Sequence, residues 1–172
     1  MRGPPLRITE AVILSEIVLR PVRNDDEPFL LALYATVRAA ELAQVPWTDE
    51  EKALFVRHQF DAQSAHWREN YTDTSFDVIE RNDVPVGRFY VARWREEIRV
   101  VDIALVPEQR GSGLGTALFQ QLFDEGDRTG LPVTIHVEIY NPARRLYERL
   151  GFVLKEDKGV YLLMERPASA VR

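Results

Sequence analysis

"VVDIALVPEQRGSGLGTALFQQLF", Val100–Phe123, decides how this chain is read. It opens as an apolar strand and ends with Leu114, Ala117, Leu118 and Leu122 spaced for one face of a helix. Between the two stand Gly111, Gly113 and Gly115. Glycine loses more backbone freedom on folding than any other residue, so three of them at one joint need a reason. A helix N-terminus supplies one, because its first N–H groups lack intrahelical partners and carry the positive end of the macrodipole. Glycines let a phosphate reach those amides with no Cβ in the way. Arg110 before the turn and Thr116 after it suit the same ligand. A phosphate-bearing ligand is therefore predicted at the end of the strand 97–106; the plainer alternative is a tight turn with no ligand.

The two familiar nucleotide loops do not fit. A Walker loop needs Gly-Lys-Ser/Thr, and the stretch has no Lys. The dinucleotide fingerprint G-x-G-x-x-G follows a first strand, whereas here Thr116 holds the sixth position and the turn lies two-thirds along the chain.

Outward from that joint, alternation predicts strands at 16–22, 75–81, 86–94, 97–107 and 133–139, and a closing pair "FVLKE" and "VYLLMER" around a "DKG" turn. Helical spacing starts at Pro28 with Leu30, Leu33, Tyr34 and Val37. Thr48 with Glu51 is a capping box that opens a second helix to about Asn70. Gly130 and Pro132 end the helix that follows the glycine turn. "NPARRLYERLGF", Asn141–Phe152, reads as a short helix with Asn141 as N-cap, Pro142 at the first position and Gly151 past the end. The order is β-α-α-β-β-β-α-β-α-β-β, one α/β (α+β) domain over residues 16–168. Residues 1–15 read as a flexible extension.

Composition agrees with a globular chain: 172 residues, 45% hydrophobic, 28% charged, net charge −5. The acidic balance disfavours a nucleic-acid binder, which would show a basic face. No cysteine is present, so disulfides, thiolate metal sites and a cysteine-linked intermediate are excluded. No signal peptide and no membrane span are read, which predicts a cytoplasmic protein. His58 and His66 are eight apart, unlike a helical metal pair, so no metal is expected.

"RGSGLG" followed by "NPARRLYERLGF" resembles the GNAT acetyltransferase superfamily, whose signatures are R/Q-x-x-G-x-G/A and a later Asn, Leu-Tyr helix and Leu-Gly-Phe. The resemblance extends over the element order and is most specific from Asp102 to Phe152. It implies a three-layer fold in which a mixed, mostly antiparallel sheet is flanked by about four helices and splayed between its fourth and fifth strands. It also implies acetyl-CoA as co-substrate. Ile103, Ala104 and Leu105 would then offer backbone hydrogen bonds to the pantetheine arm. Arg110, Gly111, Ser112, Gly113, Leu114, Gly115 and Thr116 would cradle the diphosphate, and Asn141 would touch the cofactor further along. The acceptor would be a small-molecule or peptide amine, and a homodimer would be in keeping with the superfamily.

An amine attacking a thioester must lose a proton, the oxyanion needs a donor such as a backbone N–H near Leu105, and the leaving thiolate gains from a proton. By the resemblance, Tyr147 would supply that last proton, although it also lies on the stripe Ala143, Leu146, Tyr147, Leu150 as a packing residue would. His136 stands where relatives acting on ribosomal-protein N-termini carry a basic glutamate. Glu138, two residues on, shares its strand face. Either could accept the proton, and the plainer alternative for His136 is a hydrogen-bonded residue beside the cleft. Asp102 is a further candidate, whereas Arg99 occupies the place of the fourth-strand glutamate used elsewhere in the superfamily. Glu41 and Trp47, between the first two helices, are candidates for the acceptor pocket, or a solvated charge and a core anchor. The reading from another class is a non-catalytic acyl-CoA-binding or sensing domain on the same fold.

Overall fold

The computed structural model describes residues 8–170. Seven strands form one sheet in the order β1-β2-β3-β4-β5-β7-β6. They are β1 Ile17–Pro21, β2 Thr74–Arg81, β3 Val84–Arg93, β4 Ile98–Leu105, β5 Val133–Glu138, β6 Val153–Asp157 and β7 Tyr161–Arg166. Five α-helices accompany them: α1 Ile8–Ser15, α2 Glu27–Leu42, α3 Asp49–Asn70, α4 Leu114–Thr129 and α5 Arg144–Arg149. Every neighbouring pair is antiparallel except β4 and β5.

Successive strand residues face opposite sides of the sheet, and two cores result. Ile79, Phe89, Val91 and Val100 pack with Val133, Ile135 and Val137 beneath Leu114, Leu118, Phe119 and Leu122 of α4. Phe119, 1% exposed, is the hub, its ring within 6.5 Å of those of Phe89, Phe123, Tyr147 and Phe152. On the other side Val78 packs with Leu30, Tyr34 and Leu42 of α2 and Val56 and Phe60 of α3.

The capping box forms as read: Thr48 N–H donates to Glu51 Oε2 at 2.7 Å, and Glu51 N–H to Thr48 Oγ1 at 3.2 Å. Over residues 8–15 of the expected extension the chain forms the helix α1, and Ile13 is buried in the α4 core. Ala11, Val12, Ile13 and Leu14 run together without a one-sided spacing, so docking on α4 and not amphipathicity holds this helix. Residues 1–7 lie outside the described residues. Among the described residues no helix is long and apolar enough to cross a membrane.

Candidate active site

β4 and β5 pair for three residues only, Ile98–Val100 against Val133–Ile135. Beyond that point they part, while β4 stays paired with β3 through Leu105. Asp102 to Leu105 therefore have a sheet neighbour on one edge alone. In the β3 register Tyr90 faces Asp102 and Val91 faces Val100, so Val101 is an extra residue in a β-bulge where the strands begin to part.

β4 leads into a 3-10 turn, Pro107–Gln109, and then the glycine loop. Gly111 and Gly113 have φ of 71° and 86°, a left-handed backbone that side-chain-bearing residues rarely adopt. Gly115 differs. Its φ is not positive, and a Cβ there would meet only Leu105 Cδ1, at 4.0 Å. Glycine in place of alanine costs about 0.5–1 kcal/mol in a helix, and nothing among the described residues accounts for Gly115. A ligand approaching the first turn would. The helix ladder starts with Ala117 N–H to Gly113 C=O, which leaves the earlier amides outside it. Ser112 Oγ donates to the Gln109 carbonyl at 2.6 Å, tying the loop to the turn before it. Arg110 reaches back: Nε donates to the Leu105 carbonyl at 3.1 Å and Nη2 to Thr36 Oγ1 of α2 at 3.0 Å. The residues present thus fit a diphosphate-bearing ligand.

α5 carries Tyr147, whose hydroxyl feels the charge of Asp102 on the parted stretch of β4. The helix is shorter than read, beginning at Arg144 and not just after Asn141. Asn141 Oδ1 instead accepts the Ala143 N–H at 2.9 Å, two residues on, and Arg144 N–H donates to the Asn141 carbonyl at 3.1 Å. Asparagine's preference for bonding its own following backbone made a turn here, one step before the helix. Gly151, φ 99°, follows the last turn, and Phe152 N–H returns to the Tyr147 carbonyl. The Tyr147 ring is buried against Phe119 and Phe152, so the packing role is real. Burial first, and then the charge of Asp102, push its hydroxyl up to about 12. The tyrosine therefore stays protonated at neutral pH and lies within electrostatic reach of Asp102.

Asp102 belongs to a cluster under α2 and α3. Its Oδ2 accepts Arg88 Nε at 2.6 Å, and Arg88 is 2% exposed. The Arg88 guanidinium lies among Trp67, Tyr90 and Tyr34, 5.0 to 6.0 Å from their ring centres. Tyr34 is pushed above the usual phenol range by burial. Sequence reading passed over Arg88 and Tyr34, yet a charge inside the apolar run "VGRFYVAR" was a usable signal.

His136 and Glu138 sit on β5 where it leaves β4. Nη1 of Arg99 lies 3.2 Å from Nδ1 of His136. Burial and the Arg99 charge hold His136 below the usual imidazole range. Glu138 is exposed at the strand end, opposite Tyr161 of β7. Glu41 pairs with Arg38 at 3.3 Å and is largely solvated, and Trp47 packs on Phe55 with 41% of its surface exposed. Glu41 therefore sits closer to its plainer reading, a solvated charge, whereas Trp47 is too exposed for a core anchor. Among the described residues no cluster of His, Cys, Asp and Glu is placed to hold a metal.

The acetyltransferase (GNAT) family model matches residues 36–152, more than half of the chain. This chain belongs to the GNAT acetyltransferase family. A comparison with curated proteins finds no match. Among solved structures, the GNAT fold seen here resembles PaiA N-acetyltransferase from Thermoplasma acidophilum, in complex with coenzyme A. That likeness has a TM-score of 0.63 at 15% identity, with 88% of this chain and 98% of that one covered. An acetyltransferase from Thermus thermophilus has the same TM-score, 0.63, at 20% identity, covering 88% and 96%. The ribosomal-protein-S18-alanine N-acetyltransferase of Escherichia coli has a TM-score of 0.56 at 20% identity, covering 91% and 96%. At these identities the likeness concerns the fold. The three-layer arrangement and mostly antiparallel sheet inferred from the motifs are those of this GNAT domain, with α1 as a fifth helix.

Proposed function

We propose that this protein is an N-acetyltransferase that moves the acetyl group of acetyl-CoA to a primary amine by direct attack, with both substrates bound together. The observation that carries the reading is the parting of β4 from β5 after three residue pairs, flanked by the glycine loop and by Tyr147. The activities for which similar structures are named, on a ribosomal-protein alanine and on spermidine, support an amine acceptor.

Acetyl-CoA would supply the acetyl group as an activated thioester. Ile103, Ala104 and Leu105 would hold its arm by backbone groups, Gly111 to Thr116 its diphosphate, and Asn141 its middle. Tyr147 would donate to the departing sulfur. At about 12 the phenol keeps its proton, so it would meet the thiolate, whose thiol is ordinarily about 8.5, as a hydrogen-bond donor, and the sulfur would take its proton from solvent. The proton of the incoming ammonium needs a base. Asp102, whose charge reaches the Tyr147 hydroxyl, is the carboxylate we assign to that end of the reaction, and Glu138, exposed at the end of β5, is the alternative.

The first test is calorimetric titration with acetyl-CoA, with CoA, ATP and NAD run in parallel, followed by an amine panel read by free-thiol release. Saturable binding of acetyl-CoA and CoA but not of ATP or NAD, with turnover of at least one amine, is expected. Binding without turnover of any amine would favour a sensing domain. Folded protein that binds neither acyl form would remove the ligand from the glycine loop.

A further inference from the structure

We infer that Arg99 is a positioning residue: it fixes His136 as the neutral imidazole with its hydrogen on Nε2, so that this side chain meets the opening between β4 and β5 as a hydrogen-bond donor. The guanidinium has five N–H donors, no acceptor, and does not deprotonate in proteins. Its Nη1 lies 3.2 Å from His136 Nδ1. That contact is a hydrogen bond only if Nδ1 keeps its lone pair, which puts the single ring hydrogen on Nε2. An imidazolium would set one N–H against another at the same distance.

Arg99 cannot easily turn away. Nε donates to Thr134 Oγ1 at 2.7 Å, Nη2 donates to Glu97 Oε2 at 3.1 Å, and the Thr134 hydroxyl itself donates to Glu97. The guanidinium also lies over the Trp94 ring, 5.3 Å from its centre. Arg99 and Thr134 are 8% and 0% exposed. The register makes the arrangement: Arg99 of β4 stands opposite Thr134 of β5, and His136, two residues on, shares that face. The charges facing the ring come from β4 and the residue before it, and from β6 and the turn after it. Arg99 beside it and Lys158 of the β6–β7 turn oppose protonation, whereas Glu97 before β4 and Glu156 of β6 favour it. Glu97 is already engaged by Arg99 and Thr134, which weakens its pull.

The consequence rests on the acetyltransferase reading. His136 has no free lone pair to act as base, so the proton goes to a carboxylate, and an acceptor meeting the ring must present an oxygen to Nε2–H.

The test is made on the free protein, so its outcome does not depend on turnover. Long-range 1H–15N spectra of the imidazole rings are recorded from about pH 5.5 to 8, spanning the ordinary histidine midpoint. A His136→Gln variant separates this ring from His58 and His66. The expected result is an Nε2–H tautomer with a midpoint below about 6.5. Arg99→Lys, still donor-only, should keep it. Arg99→Gln, which can offer an oxygen, should raise the midpoint and let Nδ1 take the hydrogen. An Nδ1–H tautomer in the wild type, or a titration that Arg99→Gln leaves unchanged, would overturn the inference. Should Arg99→Gln not fold, Arg99→Met takes its place, and a His136 midpoint left unchanged in that variant would overturn the inference as well. Inactivity toward every amine, with the Nε2–H tautomer present, would count against the enzyme and not against Arg99.

Discussion

Phe152 and Tyr147 are joined twice: the Phe152 N–H donates to the Tyr147 carbonyl at 3.0 Å, and their rings meet edge to face with centres 5.9 Å apart. With Gly151 N–H donating to the Glu148 carbonyl at 3.1 Å, this is a Schellman closure with its usual apolar contact. The Leu-Gly-Phe that ends α5 therefore fixes where the Tyr147 hydroxyl lies.

Tyr147→Phe keeps the ring and removes only the hydroxyl. Stability should change by less than about 1 kcal/mol and acetyl-CoA affinity should hold, while acetyl transfer falls on the order of a hundredfold. Phe152→Ala should instead cost about 3–5 kcal/mol and loosen Tyr147. Urea unfolding, calorimetry and thiol release separate the three effects. An unchanged rate in Tyr147→Phe would leave this residue as packing alone.

The alkaline limb of stability should carry the same residue. Tyr147 is raised to about 12, so above pH 10 the unfolded chain loses this proton first. Its contribution is whole below the ordinary tyrosine value of about 10 and is lost as pH rises through the folded value. Tyr34 and Tyr90 are shifted the same way by burial. Phenolate absorbance should show these three of the six tyrosines ionising above the ordinary range, and Tyr147→Phe should make the stability loss above pH 10 shallower.

Gly115 offers a cleaner test of the cradle than its neighbours, because Gly111 and Gly113 also satisfy positive φ. Gly115→Ala should stabilise the free protein by about 0.5–1 kcal/mol. Gly115→Val should weaken acetyl-CoA binding at least tenfold in a protein that still folds. Unaltered affinity in the valine variant, measured by calorimetry, would place the diphosphate elsewhere.

Asp102→Asn leaves the Arg88 charge buried and unpaired, which should cost about 2–4 kcal/mol, somewhat less than a fully enclosed pair because the Asp102 side chain is 25% exposed. Adding Arg88→Met should recover much of that stability, since an apolar replacement of both partners is often neutral or better. Turnover should not recover with it. If the double variant regains activity, Asp102 serves the fold and the base lies elsewhere, with Glu138→Gln the next variant to measure.

Much of this was legible along the chain. The strand-to-helix joint at Arg110–Gly115, the capping box at Thr48 and the alternation of β2 to β5 are local patterns, and local backbone preferences produced the elements expected of them. α1 escaped because its apolar residues make no stripe and its burial depends on α4. The start of α5 escaped because Asn141 and Pro142 suit a turn as well as a cap.

What the sequence by itself determined is the succession of elements from β1 onward, the glycine joint and the family motifs, all set by neighbours within a few residues. Which side chains meet was decided only in three dimensions. Arg99 and Asp102 are three apart, so strict alternation would put them on opposite faces of β4. The bulge at Val101 restores the parity: Arg99 stands opposite Ala92 and Asp102 opposite Tyr90, two positions of β3 that share a face. That one inserted residue places the Arg88–Asp102 pair and the Arg99–His136 contact on the same side of the parted strands. Its cause is pairing with β3 and separation from β5, neither of which is written in β4 alone.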